Sequence, residues 1–336
     1  MKENSAVEAI EFKYKWHDHT GAATGFATGS GSFNGSVLSI GNEKFAIADI
    51  KSLLVDQYVF MFGINVDDGL RTMNVEIYGT DIAVLANAIN AARSNILAHQ
   101  ERVRLTKSGG LADYRDQICP CCQSTIVLTG LPATPQIYCQ YCDTLVTVDH
   151  ETEDAIERDF RICEKCGMYS RPRKFAVFYF YFLFVTFGFH YNHVVRCSGC
   201  MRSSAWKMVG GNLFGLLGLP FALLQLYRSY STKSIAGRFE GLDTANVLAR
   251  RGKLDSALDR YDEVMDRVPE NAGIKYNIGL GLMVKNDFSH AQELFELSLD
   301  DCSNYWPAVN GLMKSLQMQG KSEELKAAYR IWGRPE

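Results

Sequence analysis

The sequence predicts a multidomain α+β protein: an N-terminal antiparallel β meander closed by a helix, two small cysteine-rich modules with apolar stretches, and a C-terminal α-helical repeat. Three observations carry this reading. Apolar and polar residues alternate through the first third, four C-x-x-C pairs occupy the middle, and a 34-residue step runs through the last third. At 336 residues the chain is long enough for two or three domains. Its 35 Lys and Arg nearly balance 38 Asp and Glu, so no global field recruits nucleic acid or acidic substrates.

Residues 10–105 read as strands followed by one helix. Phe12, Tyr14 and Trp16 alternate with Lys13 and Lys15, the period of a half-buried strand. Further strand-like runs cover 32–40, 44–50, 58–64 and 73–78, separated by turn formers such as Gly41-Asn42 and Asp67-Asp68-Gly69. The glycine-rich segment 29–35 lacks the strand–loop–helix setting of a nucleotide site and reads as a hairpin turn region. Thr80 or Asp81 is placed to cap a helix whose Ile82, Leu85, Ile89, Ala92 and Ile96 share one face. In element order this segment is similar to pleckstrin-homology-like domains. That resemblance implies a lipid or protein contact, for which Lys13 and Lys15 are candidates; another small α+β domain is the alternative.

Eight of the ten cysteines fall into the four pairs, and the charged start of the chain lacks the apolar core of a secretory signal. Paired cysteines in a non-secreted chain favour metal over disulfides and imply a reducing, cytosol-facing location. The first set, in residues 112–150, is Cys119 and Cys122 followed by Cys139 and Cys142. Each C-x-x-C turn presents two thiolates, and two turns complete a tetrahedron. The second set, in residues 160–205, is Cys163 and Cys166 followed by Cys197 and Cys200, with Gly167 and Gly199 suited to tight turns. Two Zn²⁺ ions per chain are expected. Four thiolates leave no open coordination position, so both sites read as structural. Rubredoxin-type iron uses the same ligands, whereas thioredoxin-like redox chemistry needs a βαβ setting absent here. Cys121 reads as a bystander, Cys302 as core packing, and His190 and His193 as polar ends of an apolar run. Both modules resemble zinc ribbons.

Within the second module an insert at 175–195 opens with a fifteen-residue run without charge, 175–189, including Phe175, Phe178, Phe180, Phe182, Phe184 and Phe187. It is too short to cross a bilayer comfortably as one helix, and both ends must return to one metal. A membrane-dipping hairpin, an apolar surface on a membrane, or buried ribbon strands remain. A second apolar segment, at 206–230, holds Leu213, Leu216, Leu219 and Phe221, interrupted by Pro220 and several glycines. A re-entrant or broken helical hairpin is expected there. Two knuckles around an apolar insert resemble the monotopic LITAF-type zinc domains, which dip an apolar segment into the bilayer. This sequence departs from them in having Val195-Arg196 before Cys197 where the family has a histidine, and in its second apolar stretch.

Residues 238–333 are helical and repetitive. Ala257 and Ala291 lie 34 apart, as do Tyr261 and Phe295; Gly252, Asn286 and Gly320 keep the same step. The pattern resembles tetratricopeptide repeats. Aligned on those alanines, Asn246 and Asn277 take the inner-groove positions where carboxylate-clamp members of that family carry asparagines that hold a ligand backbone. The clamp's basic positions carry Leu242, Pro307 and Gly311 instead. The resemblance therefore implies an extended peptide or helix in the groove, not an acidic tail. Arg250 and Lys314 would supply charge and Tyr276, Leu280 and Met283 an apolar floor. The plainer alternative is that both asparagines bond neighbouring helices. The apolar face around Leu325, Tyr329 and Trp332 is expected to be covered by another chain or another domain.

No nucleophile–base pair, phosphate loop or open metal site stands out. The expected function is a non-enzymatic, zinc-stabilised scaffold at the cytoplasmic face of a membrane, binding a protein partner through its repeats. The alternatives are a soluble zinc-ribbon factor of nucleic-acid machinery and an iron-binding electron carrier.

Overall fold

A computed structural model describes residues 9–17, 28–56, 59–66, 69–148, 157–183, 186–212, 218–231 and 237–333. The protein is a mixed α+β chain that divides into two compact units, Met1–Gly130 and Leu131–Glu336.

In the first unit, β1 (Ile10–His17), β2 (Gly29–Phe33), β3 (Val37–Ile40), β4 (Glu43–Ala46), β5 (Ile50–Asp56), β6 (Val59–Val66) and β7 (Gly69–Tyr78) form one antiparallel sheet in the order β4-β3-β2-β1-β7-β6-β5. Two of the expected strands divide. Asn34 accepts from the amides of Ser36 and Val37 and turns the chain between β2 and β3. A single 3₁₀ turn separates β4 from β5. The glycine-rich segment contributes β2 as well as the turn. Gly31 faces Phe12 in register and Gly29 faces Tyr14. A Cβ at either glycine would strike the opposing ring, so these glycines let the β1 aromatics lie across β2. Asp81, not Thr80, caps α1 (Ile82–Ser108) by accepting from the Ala83 amide at 2.9 Å. Leu85, Ala86 and Ile89 cover a core of Phe33, Leu38, Phe60, Phe62 and Val75. The short hairpin β8 (Asp116–Ile118) and β9 (Thr125–Val127) is tied to α1 where the Thr125 amide donates to Ser94 Oγ.

The second unit begins with hairpins β10 (Gln136–Cys139)–β11 (Thr144–Thr147) and β12 (Arg161–Ile162)–β13 (Tyr169–Ser170). The apolar insert is a β-hairpin. β14 (Arg173–Leu183) pairs antiparallel with β15 (Thr186–Arg196), from Arg173↔Arg196 to Leu183↔Thr186. Two equal strands satisfy the requirement that both ends return to one point. The second apolar segment contributes the end of α2 (Ser198–Gly211) and α3 (Leu219–Ser231), while residues 213–217 lie outside the described residues. Met201, Ala205 and Met208 of α2 and Ala222 of α3 pack with Phe175 and Val177 of β14. No helix among the described residues is long and apolar enough to cross a membrane.

Three antiparallel helix pairs follow: α4 (Leu242–Arg250) with α5 (Leu254–Met265), α6 (Ala272–Val284) with α7 (Phe288–Asp301), and α8 (Trp306–Gln319) with α9 (Ser322–Trp332). The second helices start at Leu254, Phe288 and Ser322, 34 residues apart. Gly252, Asn286 and Gly320 hold φ of 72°, 61° and 72°. This left-handed turn favours Gly and Asn, which explains why these positions share the repeat step. Ala257, Tyr261, Ala291 and Phe295 are fully buried between helices.

Candidate metal centres

Four thiols converge at each expected site. Within Cys119, Cys122, Cys139 and Cys142, and within Cys163, Cys166, Cys197 and Cys200, all sulfurs lie within 4.8 Å of one another. All ten cysteines are free thiols, so neither set is a pair of disulfides. The Cys166 and Cys197 sulfurs are 3.8 Å apart. A tetrahedral ion with metal–sulfur bonds of about 2.3 Å requires sulfur separations of roughly 3.8 Å. The donor set and its spacing therefore fit a tetrahedral thiophilic metal.

Local backbone chemistry builds the knuckles. Cys119 and Cys163 occupy the same turn. The Cys119 carbonyl accepts from the Gln123 amide at 2.9 Å, and the Cys163 carbonyl from Gly167 at 2.8 Å. The residue after the second cysteine turns left-handed in three of the four pairs: Gln123 at φ 62°, Asp143 at 57° and Gly167 at 70°. The fourth pair differs. Cys197 stands at the N-cap of α2 and Cys200 in its first turn, so its thiols meet the positive end of a helix. The second centre therefore joins one hairpin knuckle to one helix start, not two ribbon knuckles. Gly199 is needed there for space: a Cβ would strike Val247 and Arg250 of α4.

The charge balance of the second centre is visible in its neighbours. Hydrogen bonding from Cys166, Cys197 and Cys200 draws the Cys163 thiol far below its ordinary value, whereas bonding to Cys163 drives Cys197 far above. Sulfurs this close cannot all ionise without a cation among them. Arg250 Nη1 donates to Cys200 Sγ at 3.0 Å. Burial works against the guanidinium's charge, yet Cys200, Cys166 and Cys197 hold it above its ordinary value. Asp243, at the start of α4, accepts from Ser170 Oγ and from Ser198 Oγ, each at 2.6 Å. It thereby ties the hairpin strand to the helix-start knuckle.

The two groove asparagines hold an extended backbone, and that backbone belongs to this chain. Asn277 Oδ1 accepts from the Tyr169 amide and its Nδ2 donates to the Tyr169 carbonyl, both at 2.7 Å. Asn246 Nδ2 donates to the same carbonyl at 2.9 Å, and its Oδ1 accepts from Asn277 and from the Tyr261 hydroxyl. Tyr276 donates to the Gly167 carbonyl at 3.0 Å. The Tyr169 ring lies flat on α6 at Gly273, where any Cβ would enter it. The same pairing recurs at β10. Asn304 Oδ1 accepts from the Tyr138 amide at 2.9 Å and its Nδ2 donates to the Tyr138 carbonyl at 2.8 Å.

Of the seven residues expected to line a peptide groove, Asn246, Asn277, Arg250 and Tyr276 thus brace the second centre, and Leu280 is partly buried against the helical core. Met283 is partly buried there too, and Lys314 is exposed. Asp243 and Asn304 were not singled out in the sequence; Asp243 stands one 34-residue step before Asn277, a signal that could have marked it, whereas Asn304 has no such counterpart among the residues named. Among the expected membrane residues, Phe175 is buried, and Phe178, Leu219 and Phe221 are half-buried, with the Phe178 and Phe221 rings 5.0 Å apart. Phe180, Phe182 and Phe187 are placed as hairpin backbone only; Phe184, Leu213 and Leu216 fall outside the described residues, as do the side chains of His190 and His193. Lys13 is exposed, and Lys15 Nζ sits 5.6 Å from the centre of the Tyr78 ring. Comparison with protein-family models, curated proteins and solved structures finds no match.

Proposed function

We propose that the chain is a non-catalytic adaptor, held in shape by two zinc ions, that associates with the cytoplasmic face of a membrane through β14–β15, α2 and α3. The three helix pairs, read as tetratricopeptide-like repeats, would offer a protein partner the surface they do not use to brace the second metal centre. Zinc is the reading favoured by closed four-thiolate sets that leave no position for substrate. The N-terminal unit, similar in element order to pleckstrin-homology-like domains, would add a lipid or protein contact.

The observation that carries this proposal is the inverted amphipathicity of α3. Gln225 and Ser229 face inward at 3% and 0% exposure, while Leu223, Leu224, Tyr227 and Tyr230 face outward at 48, 45, 71 and 55%. A helix against water is built the other way round. Trp206 of α2, 56% exposed, donates to the Tyr230 hydroxyl at 3.2 Å and extends the same face. Aliphatic residues rimmed by Trp and Tyr suit the boundary between acyl chains and headgroups. The neighbouring hairpin carries no charged residue from 175 to 189.

Fractionation tests the proposal. Expressed wild-type chain should stay with membranes through a high-salt wash and leave them in detergent, whereas Leu223→Ser/Tyr227→Ser should partition into the soluble fraction. A monodisperse wild-type protein without detergent that ignores vesicles would assign the apolar face to a protein interface instead.

A further inference from the structure

The near-neutral charge of the whole chain conceals a strongly basic segment. Between Arg161 and Arg238 stand eleven Lys and Arg and one acidic residue, Glu164, while the remainder carries 24 against 37. Two zinc ions are not needed to see the excess: a [Zn(Cys)₄] centre in this segment would subtract two charges and leave it strongly positive. This basic stretch is the same one that forms β14–β15, α2 and α3. We infer that this surface takes an anionic lipid surface, its basic residues meeting acidic headgroups while the outward face of α3 enters the acyl boundary; the inference rests on the membrane association proposed above.

The geometry places charge beside the apolar face. Lys207 follows Trp206 on α2, and Arg228 follows Tyr227 on α3; both are exposed. The Arg202 guanidinium lies 5.0 Å from the centre of the Tyr230 ring, and its Nε donates to the Ser229 carbonyl. At the open end of the hairpin, Arg173 and Arg196 are direct cross-strand partners, with exposed Lys174 next to them. Like charges directly opposite one another are unfavourable unless an anion meets them. Beyond that basic end the hairpin runs uncharged to its turn. A basic base, an uncharged body and an outward row of Leu and Tyr match the layered chemistry of an anionic bilayer surface. A nucleic acid would satisfy the cations but leave Leu223, Leu224 and Tyr227 uncovered by any apolar group.

Sedimentation of the full metal-loaded chain with vesicles decides this, using phosphatidylcholine alone and phosphatidylcholine with phosphatidylserine at the same total lipid. Each basic residue near an anionic surface raises affinity by roughly fivefold, so two or three engaged residues predict at least a tenfold gain from phosphatidylserine at low salt. High salt should remove that gain. Lys174→Glu/Lys207→Glu/Arg228→Glu, at exposed positions and checked for an unchanged circular dichroism spectrum, should abolish the gain but keep residual binding to neutral vesicles. Equal binding to both vesicles would overturn the anionic assignment and leave membrane association standing. Binding to neither would overturn both. Retention on single-stranded or duplex nucleic acid without vesicle binding would reassign the basic surface to a polyanion.

Discussion

Replacing Asn277 by alanine removes the side chain that holds β13 of the second metal centre against the helix pairs. Asn277 is fully buried and makes three hydrogen bonds, two with the Tyr169 peptide and one with Asn246. Each such bond contributes about 1 kcal/mol net, and an orphaned buried amide adds about 1–3 kcal/mol. Asn246 keeps its own bond to the Tyr169 carbonyl, which limits the loss. The expected destabilisation is therefore about 3–4 kcal/mol. The effect should reach the metal, because Tyr169 lies three residues after Cys166 on the same knuckle hairpin. Metal release to a chromogenic chelator should accelerate at least tenfold, and the urea midpoint of the helical unit should fall. Asn277→Asp is the sharper control. It preserves size and the acceptor for the Tyr169 amide, but loses both donated bonds and buries a negative charge near the thiolates. A change below about 0.5 kcal/mol in Asn277→Ala, with metal release at the wild-type rate, would refute the bracing role.

Three further outcomes follow from individual contacts. Arg250→Met should weaken metal retention at the second centre by roughly 10–100-fold, because it removes the cation bonded to Cys200 Sγ; competition with a chelator reads this, and an unchanged affinity would remove Arg250 from the site. Asn286→Ala places a Cβ-bearing residue with no local polar compensation at φ 61° and should cost about 1 kcal/mol, while Asn286→Gly should be neutral or slightly stabilising, as read by thermal unfolding. His290 bonds to Asp287, the cap of α7, which holds its imidazole above the ordinary value and the carboxyl below its own. The histidine's small contribution to stability is therefore full below about pH 6.5 and lost as pH rises through its raised value; nuclear magnetic resonance titration of wild type and Asp287→Asn should show the shift disappear.

What was legible in the sequence was whatever has a local cause. The cysteine spacing marked both metal sets, because a C-x-x-C turn is a property of four residues. The shared step at Gly252, Asn286 and Gly320 was visible in the sequence, because each position needs a left-handed turn. Asp81 was readable as a cap for the same reason. The partner of Asn246 and Asn277 was not legible. β13 is two residues long, and nothing in Tyr169-Ser170 announces that its backbone will lie in a helical groove. The hairpin β14–β15 stayed ambiguous because a continuous apolar run has no period to separate strand from helix. The inverted face of α3 did have a signal. Gln225 and Ser229 stand four apart, but reading residues 206–230 as one apolar stretch hid them.

Elemental analysis of the folded full chain, purified without added metal or chelator, tests the account most directly. Two four-thiol sets predict two zinc ions per chain, falling to one in Cys166→Ser or Cys139→Ser if the variant stays soluble. Structural zinc contributes on the order of 10 kcal/mol to such domains, so loss of metal should also expose these variants to proteolysis. One zinc or none in folded wild-type protein would contradict the account, and stoichiometric iron with a visible absorption band would replace it with the electron-carrier reading.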